Sequence, residues 1–336
     1  MRGSDLLVPR PEGLHCPPGD FFIDPVRPVP RALITHAHAD HARAGHGTVL
    51  ATRQTLDIMA LRLGESFCGS TQAAEPGHPI EIGGVRVAFH PAGHVLGSAQ
   101  IAVERSGFRI VAAGDYARAP NPTCAAFEPI PCDIFITEAT FGLPVFRHPP
   151  AEAEIGRLLT SIDRFPERSH LVGVYALGKA QRVIRLLRDA GYEAPIHLHG
   201  ALRRLCDYYA AEGIDLGELR DATIDRGKAA DFAGAVVLGP PSAFAATWIR
   251  RFADPLIAFA SGWMQVRARA RQRGVELPLI ISDHCDWEGL TATLTEIAPS
   301  EVWVTHGREE ALVRWCALEG LSARPLHLVG YEDEAE

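Results

Sequence analysis

The sequence has no paired cysteines and no long apolar run. Its seven cysteines are scattered and never form a Cys-x-x-Cys pair, so the sequence predicts neither a disulfide framework nor a zinc ribbon. No stretch of about 18 apolar residues is present to span a membrane, and the first residues lack an apolar segment of signal-peptide length. These absences predict a protein of the reducing cytoplasm with no membrane partner.

Low-complexity tracts and internal repeats are also missing. The 336 residues, 47% of them hydrophobic, are enough for about two domains or one long one. The net charge of −8 is unevenly spread. Residues 142–275 hold 19 basic and 14 acidic side chains, a net +5, which leaves a net −13 for the rest of the chain. An arginine-rich middle segment therefore lies within an acidic frame.

The hydrophobic pattern changes along the chain. In the first 140 residues short apolar runs alternate with loops, and Ser106-Gly107 has the composition of a hairpin turn. Amphipathic helical patterns begin after Gly142, and strands alternate with helices again from about Pro278. The sequence therefore predicts a β-rich layer followed by α/β segments.

Polar side chains follow several of these predicted strands, at the edge where ligand sites of α/β layers form. Six such residues each follow a different strand: His36, His94, Asp115, Glu138, His284 and His306.

The motif THAHADH at residues 35–41 is the most specific of these signals. It presents His36, His38, Asp40 and His41 within six positions. Imidazole nitrogens bind zinc and related metals, and a neighbouring carboxylate suits a harder ion. An H-x-H-x-D-H run rarely arises by chance, so the motif predicts a metal site that takes further ligands from distant strand ends.

Two glycine-flanked residues are candidates for those further ligands, namely His94 in GHVLGS and Asp115 in AAGDY. HxHxDH followed by G-H and then G-D resembles the metallo-β-lactamase fold, an αββα sandwich with two metals at one edge of its sheets. Asp24 in FFIDP matches the aspartate that opens this family's motif series. The resemblance implies that Asp24 supports the ligands rather than binding metal.

Three later motifs narrow the resemblance to the β-CASP nucleases: TEATFG with Glu138, SDHCDW with His284, and VTHG with His306. These nucleases carry a second domain inserted into the lactamase-like one. The resemblance thus implies an α/β fold, with a metallo-β-lactamase domain in two parts, 1–141 and 276–336, and an inserted α/β β-CASP domain at 142–275.

The resemblance also assigns ligands to two divalent metals, Zn²⁺ first and Mn²⁺ as the alternative. One metal is expected on His36, His38, His94 and Asp115, and the other on Asp40, His41, Asp115 and His306. The catalytic residues implied are Asp40, His284 as proton donor to the departing oxygen, and Glu138 as the residue that orients His284 or tunes its pKa.

The inserted segment supplies the candidate substrate contacts. Arg182, Arg185 and Arg188 at helical spacing, and the run RARARQRG at residues 267–274, could follow a phosphate backbone. Lys179 at a predicted helix start is a candidate anchor for a terminal phosphate. In SGWM, Ser261 and Gly262 are candidate substrate contacts beside the aromatic surface of Trp263.

The choice between DNA and RNA rests on resemblance alone. The histidine of the last motif, His306 in VTHG, resembles that of the RNA-processing β-CASP enzymes. In contrast, GLHCPPGDFFIDPVRP, YALGKAQR and LHGALRRLCDYY belong to a resemblance of nearly the whole chain to the bacterial ligase-associated DNA exonucleases. We therefore expect a DNA-repair exonuclease acting on single-stranded DNA from the 5′ end, with DNA as substrate and an ATP-dependent DNA ligase and a helicase as pathway partners. An RNA endonuclease or exonuclease, a lactamase- or thioesterase-type hydrolase and a metal-containing nucleic-acid binding module are the alternatives.

Overall fold

The computed structural model describes residues 3–222, 232–244 and 248–328. The chain divides into two compact units, residues 1–147 with 284–336 and residues 148–283. The short segments 223–231 and 245–247 of the expected inserted domain, and the tail 329–336, lie outside the described residues.

The first unit contains two sheets. Six strands form its first sheet, in chain order: β1 (Val8–Arg10), β2 (Gly13–Cys16), β3 (Phe21–Ile23), β4 (Arg31–Leu33), β5 (His46–Thr52) and β6 (Cys68–Ala74). Seven form the second: β7 (Ile80–Ile82), β8 (Val85–Pro91), β9 (Ala99–Arg105), β10 (Phe108–Ala112), β11 (Ile134–Ala139), β18 (Glu301–Gly307) and β19 (Ser322–Pro325), in the spatial order β19-β18-β11-β10-β9-β8-β7. The hairpin predicted at Ser106-Gly107 joins β9 to β10.

The two sheets share one apolar core. Phe21, Leu33 and Leu50 of the first sheet belong to the same buried cluster as Phe89 and Trp303 of the second. This burial of alternate side chains is the main stabilising force for such a sandwich.

Helices cover the outer faces of the sandwich. Within the described residues of this unit these helices are α2 (Arg53–Leu63), α8 (Trp287–Ile297) and α9 (Glu309–Leu318), whereas the short α1 (Gly3–Leu6) places Leu6 in the core between the sheets. Leu290 and Leu294 of α8 and Leu312 of α9 pack with Phe135 and Val302 of the second sheet, while α2 contacts β5 and β6. The layers therefore run helix, sheet, sheet, helix, as the αββα prediction requires.

The second unit is a wholly parallel sheet with helices. Its strands are β12 (His170–Gly173), β13 (Ile196–Leu198), β14 (Leu219–Asp221), β15 (Val236–Gly239), β16 (Leu256–Ala260) and β17 (Leu277–Leu279), in the spatial order β14-β13-β15-β12-β16-β17. Its helices are α3 (Ala151–Arg164), α4 (Lys179–Asp189), α5 (Gly200–Ala211), α6 (Pro241–Phe244) and α7 (Arg267–Gln272). Within the described residues no helix is long and apolar enough to cross a membrane.

The unit boundaries differ from those expected at residues 142 and 275. The expected boundaries place β17 in the second part of the metallo-β-lactamase domain, but this strand pairs in parallel with β16 inside the second unit, and the unit extends to Asp283. A three-residue apolar strand carries no sequence signal for the sheet that it joins. The identity of the second unit as a β-CASP domain stays a prediction.

Candidate metal centre

Parallel pairing brings the predicted site residues of the first unit to one edge of its sheets. Asp24 and His36 follow the neighbouring parallel strands β3 and β4. Asp115 follows β10, while Glu138 and His306 lie at the ends of β11 and β18, and these three strands are also parallel neighbours. Because the carboxyl ends of parallel strands meet at the same edge of a sheet, the topology groups polar side chains that are far apart in sequence.

His36, His38, His94 and Asp115 form the first group of possible metal ligands. The His38 Nδ1 atom lies 3.1 Å from His36 Nε2 and 3.0 Å from His94 Nε2. The Asp115 Oδ2 atom lies 3.4 Å from His36 Nε2 and 3.8 Å from His94 Nε2. Four ligands at about 2.0–2.1 Å from a tetrahedral ion would be about 3.3 Å apart. The donor set and its spacing therefore fit a divalent metal.

The second group shares Asp115 with the first and adds Asp40 and His41. The His41 Nε2 atom lies 3.5 Å from Asp40 Oδ2 and 3.5 Å from Asp115 Oδ2. His306 Nε2 lies 3.2 Å from Asp115 Oδ1. Asp115 thus contacts four imidazoles of the two predicted ligand sets, those of His36, His41, His94 and His306.

Asp115, Glu138 and His284 form a third group. His284 Nδ1 lies 3.0 Å from Glu138 Oε2, and the fully buried Glu138 also accepts a hydrogen bond from the Tyr116 backbone N–H at 3.0 Å. The Thr140 hydroxyl donates to the same carboxylate. This arrangement orients the imidazole, and its donor types would also suit a metal.

Asp24 lies behind the ligands. Its carboxylate accepts hydrogen bonds from the Thr35 backbone N–H at 2.8 Å, from the Thr35 hydroxyl at 2.6 Å and from His41 Nδ1 at 2.8 Å. The Thr35 oxygen in turn lies 3.1 Å from His36 Nδ1. Protons on these two Nδ1 atoms leave the Nε2 lone pairs of His36 and His41 available for a metal.

Burial and neighbouring charges shift the pKa values of several side chains in the centre. Burial, assisted by the charge of His41, lowers the pKa of His36 well below its usual value. Burial would also lower the pKa of His41, but the Asp115 and Asp40 carboxylates raise it to about 10. Although burial opposes its ionisation, Asp115 has a pKa well below the usual range because His41, His284 and His306 stabilise its charge. The metal-free centre therefore carries a buried carboxylate that is already charged.

The candidate substrate residues of the second unit are buried. Lys179 was predicted to anchor a phosphate, but its Nζ lies 3.0 Å from Asp283 Oδ2 and 2.9 Å from the Ile281 carbonyl oxygen. Ser261 is fully buried, its hydroxyl accepts a hydrogen bond from the Trp263 N–H, and Gly262 is buried beside it. These positions do not support the predicted contacts with substrate, because the polar groups are used within the unit.

The three arginines of α4 are structural as well. Arg182 is buried and lies 3.0 Å from Asp283, Arg185 pairs with Asp189, and Arg188 donates to four backbone carbonyl groups. Their helical spacing reflects internal hydrogen bonding rather than an exposed phosphate track.

Several residues that hydrogen-bond to the predicted site residues were not predicted from the sequence. Thr35 stands directly before the first histidine of the motif, and that adjacency was the only signal for its role. Thr140 and the Tyr116 backbone N–H could not be paired with Glu138 without the strand register.

No protein-family model matches the chain. A protein of Opitutus terrae named as a probable DNA ligase is 27% identical over 329 residues, which cover 93% of this chain and 30% of the relative. Cleavage and polyadenylation specificity factor subunit 3 of Dictyostelium discoideum is 31% identical over 137 residues, 38% of this chain and 17% of the relative. Endoribonuclease YSH1 of Candida glabrata is 38% identical over 116 residues, 33% of this chain and 14% of the relative. The chain thus spans less than a third of the length of these relatives.

The predicted resemblance to the β-CASP nucleases of the metallo-β-lactamase fold is confirmed by these relatives. The predicted fold class is confirmed with it. A solved structure of a protein of unknown function from Enterococcus faecalis has the same fold, with a TM-score of 0.62 over 90% of this chain and 80% of that chain at 12% identity. The nuclease names among the relatives agree with the predicted enzyme class.

Proposed function

We propose that the protein is a metal-dependent nuclease that hydrolyses phosphodiester bonds. The observation that carries this proposal is the position of Asp115, whose carboxylate belongs to three groups of potential ligands at one sheet edge. A carboxylate shared in this way is suited to bridging two cations. The relatives named as endoribonucleases support the same class of reaction.

The ligand sets that we propose are those expected from the sequence. His36, His38, His94 and Asp115 would hold one metal, and Asp40, His41, Asp115 and His306 the other. Imidazole with carboxylate suits Zn²⁺, and Mn²⁺ is the alternative. Bound there, two cations would polarise the phosphoryl group and make water a stronger nucleophile at neutral pH.

Asp40, in addition to its place in the second ligand set, and the pair of Glu138 and His284 would take part in proton transfer. Asp40 is the most exposed of the second group, with 22% of its side chain accessible, and would accept a proton from the attacking water. Glu138 holds Nδ1 of His284, so the Nε2 edge of this imidazole would donate a proton to the departing oxygen. Asp24 would keep His41 in the tautomer that presents Nε2.

We further propose that the substrate is DNA, cleaved as an exonuclease from the 5′ end of a single strand. The support is coverage: the relative named as a probable DNA ligase aligns with 93% of this chain, whereas the relatives named as endoribonucleases align with 33–59% of it. The same relative supports a DNA ligase as a partner in repair. A helicase of that pathway is proposed from the family resemblance alone. The cytoplasmic location remains a prediction from the scattered cysteines.

An RNA nuclease is the second candidate. The names of the relatives from Dictyostelium and from the fungi favour it, and these relatives match the chain at 27–38% identity.

One time course on sequencing gels separates the two. Metal-loaded protein is incubated with DNA and RNA single strands of the same sequence, labelled internally and carrying a 5′-phosphate or a 5′-hydroxyl. Mononucleotides from DNA with intact RNA are the expected result, and the Asp115→Asn variant serves as the inactive control. Internal RNA fragments with intact DNA would assign the protein to RNA cleavage, and no cleavage of either strand by the loaded protein would contradict the nuclease proposal.

A further inference from the structure

Two cationic side chains of α4 hold three consecutive residues of the second unit. Lys179 Nζ donates to the Ile281 carbonyl oxygen at 2.9 Å and lies 3.0 Å from Asp283 Oδ2. Arg182 donates to the Ser282 carbonyl oxygen and, at 3.0 Å, to Asp283 Oδ1. We call these five residues the 281–283 clamp.

The clamp is buried and its geometry follows from the helix. Lys179 is 3% and Arg182 2% exposed, and Asp283 is 4% exposed. Lys179 is the first residue of α4 and Arg182 lies three positions later, so both side chains project from the same face of the helix. Each cation bonds one backbone carbonyl and one carboxylate oxygen, which fixes the main chain as well as the side chain.

Buried ion pairs of this kind are costly to form and rigid once formed. Two charges removed from water require good geometry and additional hydrogen bonds to compensate for the lost solvation. Here the carbonyl groups of Ile281 and Ser282 provide those hydrogen bonds. The clamp therefore holds the backbone of residues 281–283 through two carbonyl hydrogen bonds and an ion-paired carboxylate.

The chain passes from the clamped segment directly into His284, the residue that we propose as proton donor. A donor must stay within hydrogen-bond reach of the departing oxygen, and a displacement of about 1 Å can slow a reaction by about a hundredfold. Glu138 fixes the imidazole from the side-chain end. The clamp holds the backbone up to Asp283, the residue bonded to His284.

We propose that Lys179 and Arg182 are positioning residues for His284 rather than phosphate anchors. This inference rests on the proposed function of His284 in the cleavage step. It gives a role to the Gly-Lys pair and to Arg182, which the sequence assigned to phosphate binding and which the structure buries.

The test compares two substrates that differ in their need for a proton. Single-stranded DNA releases a poor leaving group that must be protonated, whereas a nucleoside 5′-(p-nitrophenyl phosphate) releases nitrophenolate without a proton. Lys179→Met is expected to lower kcat on DNA by about tenfold or more with KM within about twofold. On the nitrophenyl ester its kcat is expected to stay within about twofold. His284→Ala should show the same selectivity, and the double variant should be no slower on DNA than His284→Ala.

The matched control is Arg168→Ala. The Arg168 guanidinium is also held within the second unit, where it donates to Glu276 and to the Pro255 carbonyl oxygen at the opposite, amino-terminal ends of β16 and β17. Replacing Arg168 removes hydrogen bonds to one carboxylate and one backbone carbonyl group but leaves the clamp intact. The ratio of kcat on DNA to kcat on the nitrophenyl ester should therefore equal that of the parent protein. Lys179→Arg keeps a cation and should restore at least part of the DNA activity. Asp283→Asn, which keeps the size of the side chain, replaces Lys179→Met if that variant does not fold.

Hydrogen exchange separates failure of the clamp from failure of the proposed function. In Lys179→Met the amides of residues 281–285 should exchange faster than in the parent protein, and in Arg168→Ala they should not. Unchanged exchange and unchanged DNA turnover in folded Lys179→Met would overturn the clamp, as would an equal slowing of both substrates. If His284→Ala slows both substrates equally while the exchange result holds, the donor role of His284 is wrong and the clamp remains as a restraint on residues 281–283.

Discussion

The Nδ1 atom of His41 lies 2.8 Å from Oδ2 of Asp24, and both side chains are almost completely buried. The contact defines which nitrogen of His41 keeps its proton when the imidazole is neutral, and it turns the other nitrogen towards Asp40 and Asp115. A residue outside the two predicted ligand sets therefore contacts, and would orient, a histidine that is predicted to bind metal.

Asp24→Asn is expected to weaken metal binding by about 10- to 100-fold. The amide would present an N–H₂ group to one of the donors that Asp24 now accepts, which leaves the His41 tautomer unfixed. Asp24 has a φ of +42°, a conformation that asparagine tolerates, so backbone strain is not the cause. Competition titration with a chromophoric chelator measures the affinity. Unaltered affinity in the folded variant would contradict the supporting role.

Metal binding is expected to release protons at neutral pH. Because Asp115 and Asp40 raise the pKa of His41 to about 10, this imidazole is protonated at pH 7 in the metal-free protein and must lose its proton to act as a ligand. His36, whose pKa is lowered, is already neutral and contributes none. The apparent affinity should thus rise about tenfold per pH unit for each displaced proton until the pH passes about 10. Calorimetric titrations in buffers of different ionisation enthalpy count the protons, and a count of zero would contradict the assignment of His41.

His284→Ala distinguishes a proton donor from a third metal ligand. If His284, oriented by Glu138, is the proton donor, the variant should lose about 10²- to 10⁴-fold in kcat on DNA and keep its metal content. The structure also permits the alternative, since Asp115, Glu138 and His284 form a compact group of ligand types. Metal analysis after gel filtration decides between them. Loss of one metal equivalent would make His284 a ligand.

The sequence indicated which side chains meet at the sheet edge better than it indicated their partners, because each sequence pattern covers only a few neighbouring residues. THAHADH and the residues after predicted strands are local patterns, and the parallel topology then brought these positions to one edge. Lys179 shows the opposite case. Its position at the start of a helix indicated an exposed anion site. Its partners Ile281 and Asp283 lie about a hundred residues away in the sequence, and no local pattern predicts such a pairing.

Gly114→Ala is expected to disturb the metal centre through Thr35. Gly114 has a φ of +59°, and a Cβ atom there would lie 2.8 Å from Thr35 Oγ1, so the hydroxyl that contacts Asp24 and His36 would be displaced. Gly107→Ala is the matched control because its φ is +78° and no atom lies within 4 Å of the new Cβ. Both variants should lose about 1 kcal/mol of stability from backbone strain, but only Gly114→Ala should also lose metal affinity. Equal metal affinities of Gly114→Ala and Gly107→Ala would show that Thr35 does not help to position the predicted ligands.

The exposed arginines of α7 are expected to contribute to DNA binding without affecting cleavage. Arg267 and Arg271 are exposed and four positions apart on α7, and the described residues contain no ion pair for either of them. The Cζ atom of Arg269, between them, lies 4.0 Å from the centroid of the Trp263 ring, which is a cation–π contact. If Arg267 and Arg271 each contact one phosphate, the double variant to alanine should reduce the dependence of log K on log salt by about 1.4 for single-stranded DNA, and kcat at saturating DNA should stay unchanged. The control is the double variant of Arg203 and Arg220, which removes the same charge from side chains that pair with Asp207 and Glu218. If the slope of log K against log salt concentration falls equally in both double variants, the effect comes from net charge alone, and Arg267 and Arg271 do not contact DNA phosphates.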